Sequence, residues 1–168
     1  MYGVFYIRLS RKKAEQIYMS GSTFEIGKAN TLREGSDATI IASGICVADA
    51  CRVADKLADE GIHVRVLDMF TIKPIDKEAI IKASKETGAI VTVENHNILN
   101  GLGSAVAEVL SEEAPCRMKR LGAPDCFGEV GTVPFLKEKY HMAEKDIKEA
   151  VKALISKKDV ALNFFSIC

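Results

Sequence analysis

"ATIIASGICVADACRVADKLADEGIHVRVLD", residues 38–68, is the stretch that decides the fold. Its first run, Ala38 to Ser43, is apolar without alternation, as a strand is when both of its faces are covered. Gly44 turns the chain. Val47, Ala50, Cys51, Ala54, Leu57 and Ala58 then recur at i, i+3, i+4 spacing, the pattern of a helix with one buried stripe. Gly61 stands where a left-handed C-terminal cap belongs, and "HVRVLDM" (63–69) is the next strand. Strand, helix and strand in roughly thirty residues make a parallel crossover unit.

Downstream the alternation continues. "TIKPID" turns through Pro74, and Asp76 is placed to cap a helix that carries Ala79, Ile80 and Ala83 to about Ser84. "AIVTVE" (89–94) is a third strand, "ENHNILNGLGSAVAEVL" is a loop opening into a helix from about Gly103, and "RMKRLG" (117–122) alternates like a half-exposed strand. The last helix runs from about Glu144 to Lys157, amphipathic through Ile147, Val151, Leu154 and Ile155. Upstream, "FEIGKANTLRE" alternates loosely and reads as an extra edge strand, antiparallel because no crossover helix separates it from 38–43. Val4-Phe5-Tyr6-Ile7 reads as a buried strand followed by a basic loop. The closing "DVALNFFSIC" (159–168) reads as a docked tail or a remnant foreign to the domain. The class is α/β, with a mostly parallel sheet of about five strands and helices on its faces.

Composition narrows the function classes. A chain of 168 residues, 48% apolar and 27% charged, buries one core. Lysine plus arginine equal aspartate plus glutamate at 23 each, so no overall field draws the chain to nucleic acid or an anionic membrane. No apolar run reaches the roughly 18 residues of a membrane span, and Arg8 and Arg11 interrupt the first apolar segment, unlike a signal peptide; a cytoplasmic protein is expected. The five cysteines, Cys46, Cys51, Cys116, Cys126 and Cys168, contain no CxxC pair and no histidine at zinc spacing, which predicts reduced thiols and no metal.

Several stretches invite a chemical reading. Asp68 ends a strand where a ribose-binding acid would sit, but "SGICVAD" has one glycine where a dinucleotide fingerprint needs three. Gly101 and Gly103 at a helix start would expose N–H groups to an anion, or serve only a tight turn; no Lys-Ser or Lys-Thr follows to make a P-loop. Glu94 and His96, two apart on an extended segment, face one side and can pair as a general base or serve packing or an interface. His63 and His141 have no metal-binding company. Arg11, with Arg8 and Ser10 beside it, is placed either to fork onto a phosphate or carboxylate or to lie in a solvated loop.

Taken in order, "FYIRLSR" (5–11), residues 24–76, "VTVENHNILNGLGSAVAEVL" (91–110) and residues 127–154 resemble consecutive segments of the C-terminal part of transketolase, "VRVLDMFTIKPID" (64–76) most specifically. The resemblance implies a three-layer αβα domain whose five-stranded mixed sheet has an antiparallel first strand. It implies that residues 1–23 are the last strand and linker of a preceding pyrimidine-binding domain, 24–157 the C-terminal domain and 158–168 a tail. In the complete enzyme, thiamine diphosphate and Mg²⁺ would serve two-carbon ketol transfer between sugar phosphates, as in the pentose phosphate pathway. No catalytic, cofactor-binding or metal-binding residue of the family has a matching position here, so the chain alone is expected neither to bind the cofactor nor to turn over. Arg11 matches the family's sugar-phosphate arginine, with Arg8 and Ser10 as support. Glu94 and His96 match an "E-x-H" stretch, read as packing or interface. Implied partners are the N-terminal and pyrimidine-binding portions of the enzyme, a second copy in a homo-oligomer, and the sugar phosphate. Deoxyxylulose-phosphate synthases and 2-oxoacid dehydrogenase β-subunits share the layout. A non-catalytic module using the edge near Glu94 to Ser104 is the remaining alternative.

Overall fold

Five strands form one sheet in the order β1-β3-β2-β4-β5, built from β1 (Asn30–Arg33), β2 (Ala38–Ala42), β3 (Val64–Asp68), β4 (Ala89–Asn97) and β5 (Arg117–Ala123). The structure, a computed structural model, describes residues 3–10 and 13–165, with side chains through residue 157. β2 pairs in parallel with β3 and β4, and β4 with β5; β1 alone is antiparallel. The helices are α1 (Cys46–Ala58), α2 (Lys77–Thr87), α3 (Leu102–Glu113), α4 (Val133–Lys139) and α5 (Glu144–Phe165).

Side-chain alternation along the buried strands divides the core. Ile40, Val66, Val91 and Val93 point to the face where Val47, Val53 and Leu57 of α1 meet Ile147 and Val151 of α5. Ile41, Leu67 and Ile90 point to the opposite face, against Ile80 of α2 and Leu102, Val106 and Val109 of α3. This is the expected three-layer arrangement. Between the layers, the Thr39 and Thr87 hydroxyls share a 3.0 Å hydrogen bond, which satisfies two buried polar groups at once.

The helix boundaries follow local chemistry. Gly61 takes φ 79°, and the N–H groups of Gly61 and Ile62 return to the carbonyls of Ala58 and Leu57, both at 2.9 Å, closing α1. Asp76 accepts from the Ala79 N–H at 3.0 Å and so caps α2 as its sequence predicts. The same carboxylate accepts from the Ala29 N–H at 2.8 Å, pinning the segment before β1 to the start of α2.

Four sequence readings need correction. Residues 4–7 form no strand: Val4, Tyr6, Ile7 and Leu9 are 104, 89, 74 and 84% exposed, because no strand among the described residues offers them a ladder. The edge strand is confined to 30–33 and lies on β3, since both margins of β2 are already occupied by β3 and β4. β4 continues past Glu94 to Asn97, its pairing with β5 shifting register between Val93 and Asn97. The last helix does not stop at Lys157 but continues to Phe165.

Asp76→Ala removes two charge-assisted acceptor contacts and should destabilise the fold by about 2 kcal/mol or more, whereas Asp76→Asn, which keeps an acceptor oxygen, should cost less. Urea unfolding of the three proteins reads the difference; equal midpoints would show that the cap does not hold the fold.

Candidate functional site

The carboxyl edge of a parallel sheet is where α/β domains gather their ligand-binding loops, because each strand there hands over to a crossover. Most of the candidate residues lie at this edge. Ile90, Thr92 and Glu94 alternate toward the α3 side of β4, and Glu94, at 2% exposure, sits directly beneath the start of α3. Its two carboxylate oxygens accept from the backbone N–H groups of Leu102, at 2.7 Å, and Gly103, at 2.8 Å. The helix's positive end is thus satisfied by a carboxylate from eight residues upstream of Leu102.

The glycines of "NGLG" are explained by the same arrangement. A Cβ on Gly101 would meet the Glu94 carboxyl carbon at 2.8 Å, and one on Gly103 would meet Thr92 Oγ1 and Arg120 Cδ, each at 2.9 Å. They provide close approach, not an open cradle. Arg120 completes the shell by donating from Nη1 to the Ile98 carbonyl and the Ser104 hydroxyl, both at 3.2 Å. The N–H groups of Leu102 and Gly103 are taken, and an external anion placed here would face the Glu94 carboxylate.

Glu94 and His96 do not pair. Glu94 is spent on α3, and His96, beyond the register shift, is exposed with Nδ1 3.0 Å from the Asn97 carbonyl oxygen. Asp68 is likewise not open to a ribose: 5% exposed, it accepts the Tyr18 hydroxyl proton at 2.7 Å. Burial raises the Asp68 carboxyl above the usual carboxylate range, with the Tyr18 hydrogen bond opposing; burial and then the Asp68 hydrogen bond raise the Tyr18 phenol. This contact, joining residues 50 apart, carries no sequence signal.

At the start of α1, Asp49 is buried and held by Arg52 and Lys137, and Lys137 also donates to the Ile45 carbonyl at 3.3 Å, tying α4 to α1. Burial pushes the neighbouring Cys46 thiol up to about 12, which makes it a core group rather than a nucleophile. Arg8 and Ser10 lie in the exposed extended segment, and Arg11 falls outside the described residues. His63 is exposed, and His141 Nδ1 stands 3.5 Å from Asp146. Among the described residues no group of three or more His, Cys, Asp or Glu side chains converges as a metal site, and no helix is long and apolar enough to cross a membrane.

The family described as transketolase, C-terminal domain, matches residues 27–147. The 6-deoxy-6-sulfo-D-fructose transketolase subunit of Clostridium sp. (strain MSTE9) is 46% identical over 157 residues, which are 94% of this chain and 49% of that protein. The 1-deoxy-D-xylulose-5-phosphate synthase of Heliobacterium modesticaldum is 42% identical over 134 residues, 79% of this chain and 21% of that protein. A solved structure titled split gene transketolase, inactive beta4 tetramer, superimposes with a TM-score of 0.83 at 43% identity, over 87% of this chain and 48% of that one. The chain therefore spans about half the length of two of these relatives, and less of the third.

Thiamine diphosphate is the coenzyme this family implies for the whole enzyme, and the glycine-bracketed start of α3 does not fit it. That helix start is filled by Glu94, whose carboxylate would repel a diphosphate. No step through the coenzyme is assigned to this chain.

Glu94→Ala should strip two buried N–H groups of their charged acceptor and destabilise the fold by about 3 kcal/mol, readable as a lowered urea midpoint at unchanged slope. A loss below about 0.5 kcal/mol would mean that water caps α3 equally well.

Proposed function

Since the chain belongs to the transketolase C-terminal domain family, we propose that it acts as the C-terminal section of a thiamine-diphosphate-dependent transketolase. That enzyme would transfer a two-carbon ketol unit between sugar phosphates in the cytoplasm, with the coenzyme and Mg²⁺ held by its N-terminal and pyrimidine-binding portions. The observation that carries this reading is the near-complete overlap of the chain with half of a protein named as a transketolase subunit. The exposed apolar run at Val4, Tyr6, Ile7 and Leu9 supports it, because an extended segment of that character is suited to complete a neighbour's sheet. On this reading residues 1–23 belong with the pyrimidine-binding domain and 24–157 form the C-terminal domain, which helps to build the oligomer.

Arg11 is the substrate-contacting residue of this proposal, with Arg8 and Ser10 beside it. A guanidinium fork suits a tetrahedral oxyanion, whether a sugar's phosphate or the sulfonate in the name of the Clostridium relative. Glu94, His96, Gly101 and Gly103 belong to the support of the domain. A second reading, the C-terminal domain of a deoxyxylulose-phosphate synthase, is favoured by the Heliobacterium match but explains less of the chain.

In the enzyme assembled with its coenzyme-binding portions, Arg11→Ala should raise KM for phosphorylated sugars about ten- to a hundredfold and leave a non-phosphorylated donor nearly unchanged. Equal losses on both substrates would remove the anion-binding role. Calorimetric titration of thiamine diphosphate and Mg²⁺ into the chain alone should give no binding heat; micromolar binding would overturn the placement of the coenzyme outside this chain.

A further inference from the structure

Between the exposed segment and β1, the chain crosses the carboxyl end of β3 as a strap, residues 18–29, that is fastened at several points. The Tyr18 ring packs edge-to-face on Phe24, with centroids 4.7 Å apart, and Phe24 in turn on Phe70 at 5.3 Å. Gly27 N–H donates to Thr71 Oγ1 at 3.0 Å, Ala29 N–H to Asp76, and Lys28 pairs with Glu78 at 2.7 Å. One fastening differs in kind. Tyr18 donates its hydroxyl proton to Asp68 Oδ2 and accepts from Asn30 Nδ2 at 3.3 Å, while Asp68 Oδ1 is buried and has no hydrogen-bond partner.

The bonded oxygen, Oδ2, is what ties the strap to β3. A carboxylate this deeply buried needs donors, and the Tyr18 hydroxyl is the side-chain donor the structure gives it. Moving the strap takes this donor away from Asp68 Oδ2, so the hydrogen bond holds the strap in its seat. The salt bridge at Lys28 is exposed on both sides and contributes little to that hold.

We propose that Tyr18 is the positioning residue of the strap: seated on Asp68 and Asn30, it holds residues 18–29 across the end of β3 and fixes the point from which the chain preceding it leaves the domain. Read with the proposed function, on which only this last consequence rests, the contact would set the orientation between this domain and the portion that precedes it. The fastening itself belongs to the chain alone, so it can fail while the transketolase assignment stands, and the reverse.

Two measurements on the full chain test it: hydrogen–deuterium exchange, and the distance distribution between spin labels at Tyr6→Cys and Lys82→Cys with Cys116, Cys126 and Cys168 replaced by Ser. Tyr18→Phe keeps the ring packing and removes only the hydroxyl. It should speed exchange in residues 18–29 about ten- to a hundredfold and broaden the label distribution, with exchange in β2 and β4 unchanged. Asn30→Ala, which spares the buried carboxylate, should act in the same direction more weakly. Unchanged exchange and label width in Tyr18→Phe would overturn the proposal, and so would equal loosening of β2 and β4, which would make Tyr18 an ordinary support of the core.

Discussion

β2 has no side facing water, and this constraint organises the molecule. All five of its residues are buried, with Ile40 and Ile41 turned to opposite layers, so neither pair of helices can be absent without exposing the centre of the sheet. Covering both faces of parallel strands requires crossovers, and crossovers bring the loops after β2, β3 and β4 to one edge. The α3 cap by Glu94, the Asp49 cluster at α1 and the Tyr18 strap all lie at that edge because the order of the sheet puts them there.

Within this frame, polar side chains do work that backbone cannot. Glu94 closes a helix whose own N-cap residue, Gly101, has no side chain to do so. Asp76 closes another and holds the approach to β1 as well. Arg52, bonded to Asp49, Glu15 and Glu144, joins α1 to α5 and to the segment before the strap. These acceptors and donors are spent within the domain.

The periodic parts of this architecture were legible in the sequence: the apolar run at 38–43, the helical stripe through Val47 and Leu57, the cap at Asp76 and the glycine closing α1. They follow from short-range rules of spacing and conformation. Readings that depended on a neighbour elsewhere in space fared worse. Val4 to Ile7 has the composition of a strand but no ladder partner among the described residues, β1 lies on β3 because β2 is full, and α5 runs past Lys157 to Phe165. At the site, Glu94, Gly101 and Gly103 were each noticed, but as separate candidates. Only the fold shows that the acid fills the anion position the glycines suggest. Tyr18 and Asp68 went unpaired in the sequence because one hydroxyl bond across 50 residues leaves no pattern to read.

The two margins of the sheet have a consequence for how copies of this domain can associate. β1 is four residues long, shifts register between Thr31 and Arg33, and sends Arg33 out to Asp55 on α1. β5 carries Arg117, Lys119 and Arg120 within seven residues, with Lys119 exposed. A strand from another molecule that tried to continue the ladder would meet a kinked stub on one side and the exposed Lys119 on the other. Open-ended, fibre-like stacking through the sheet is thereby disfavoured.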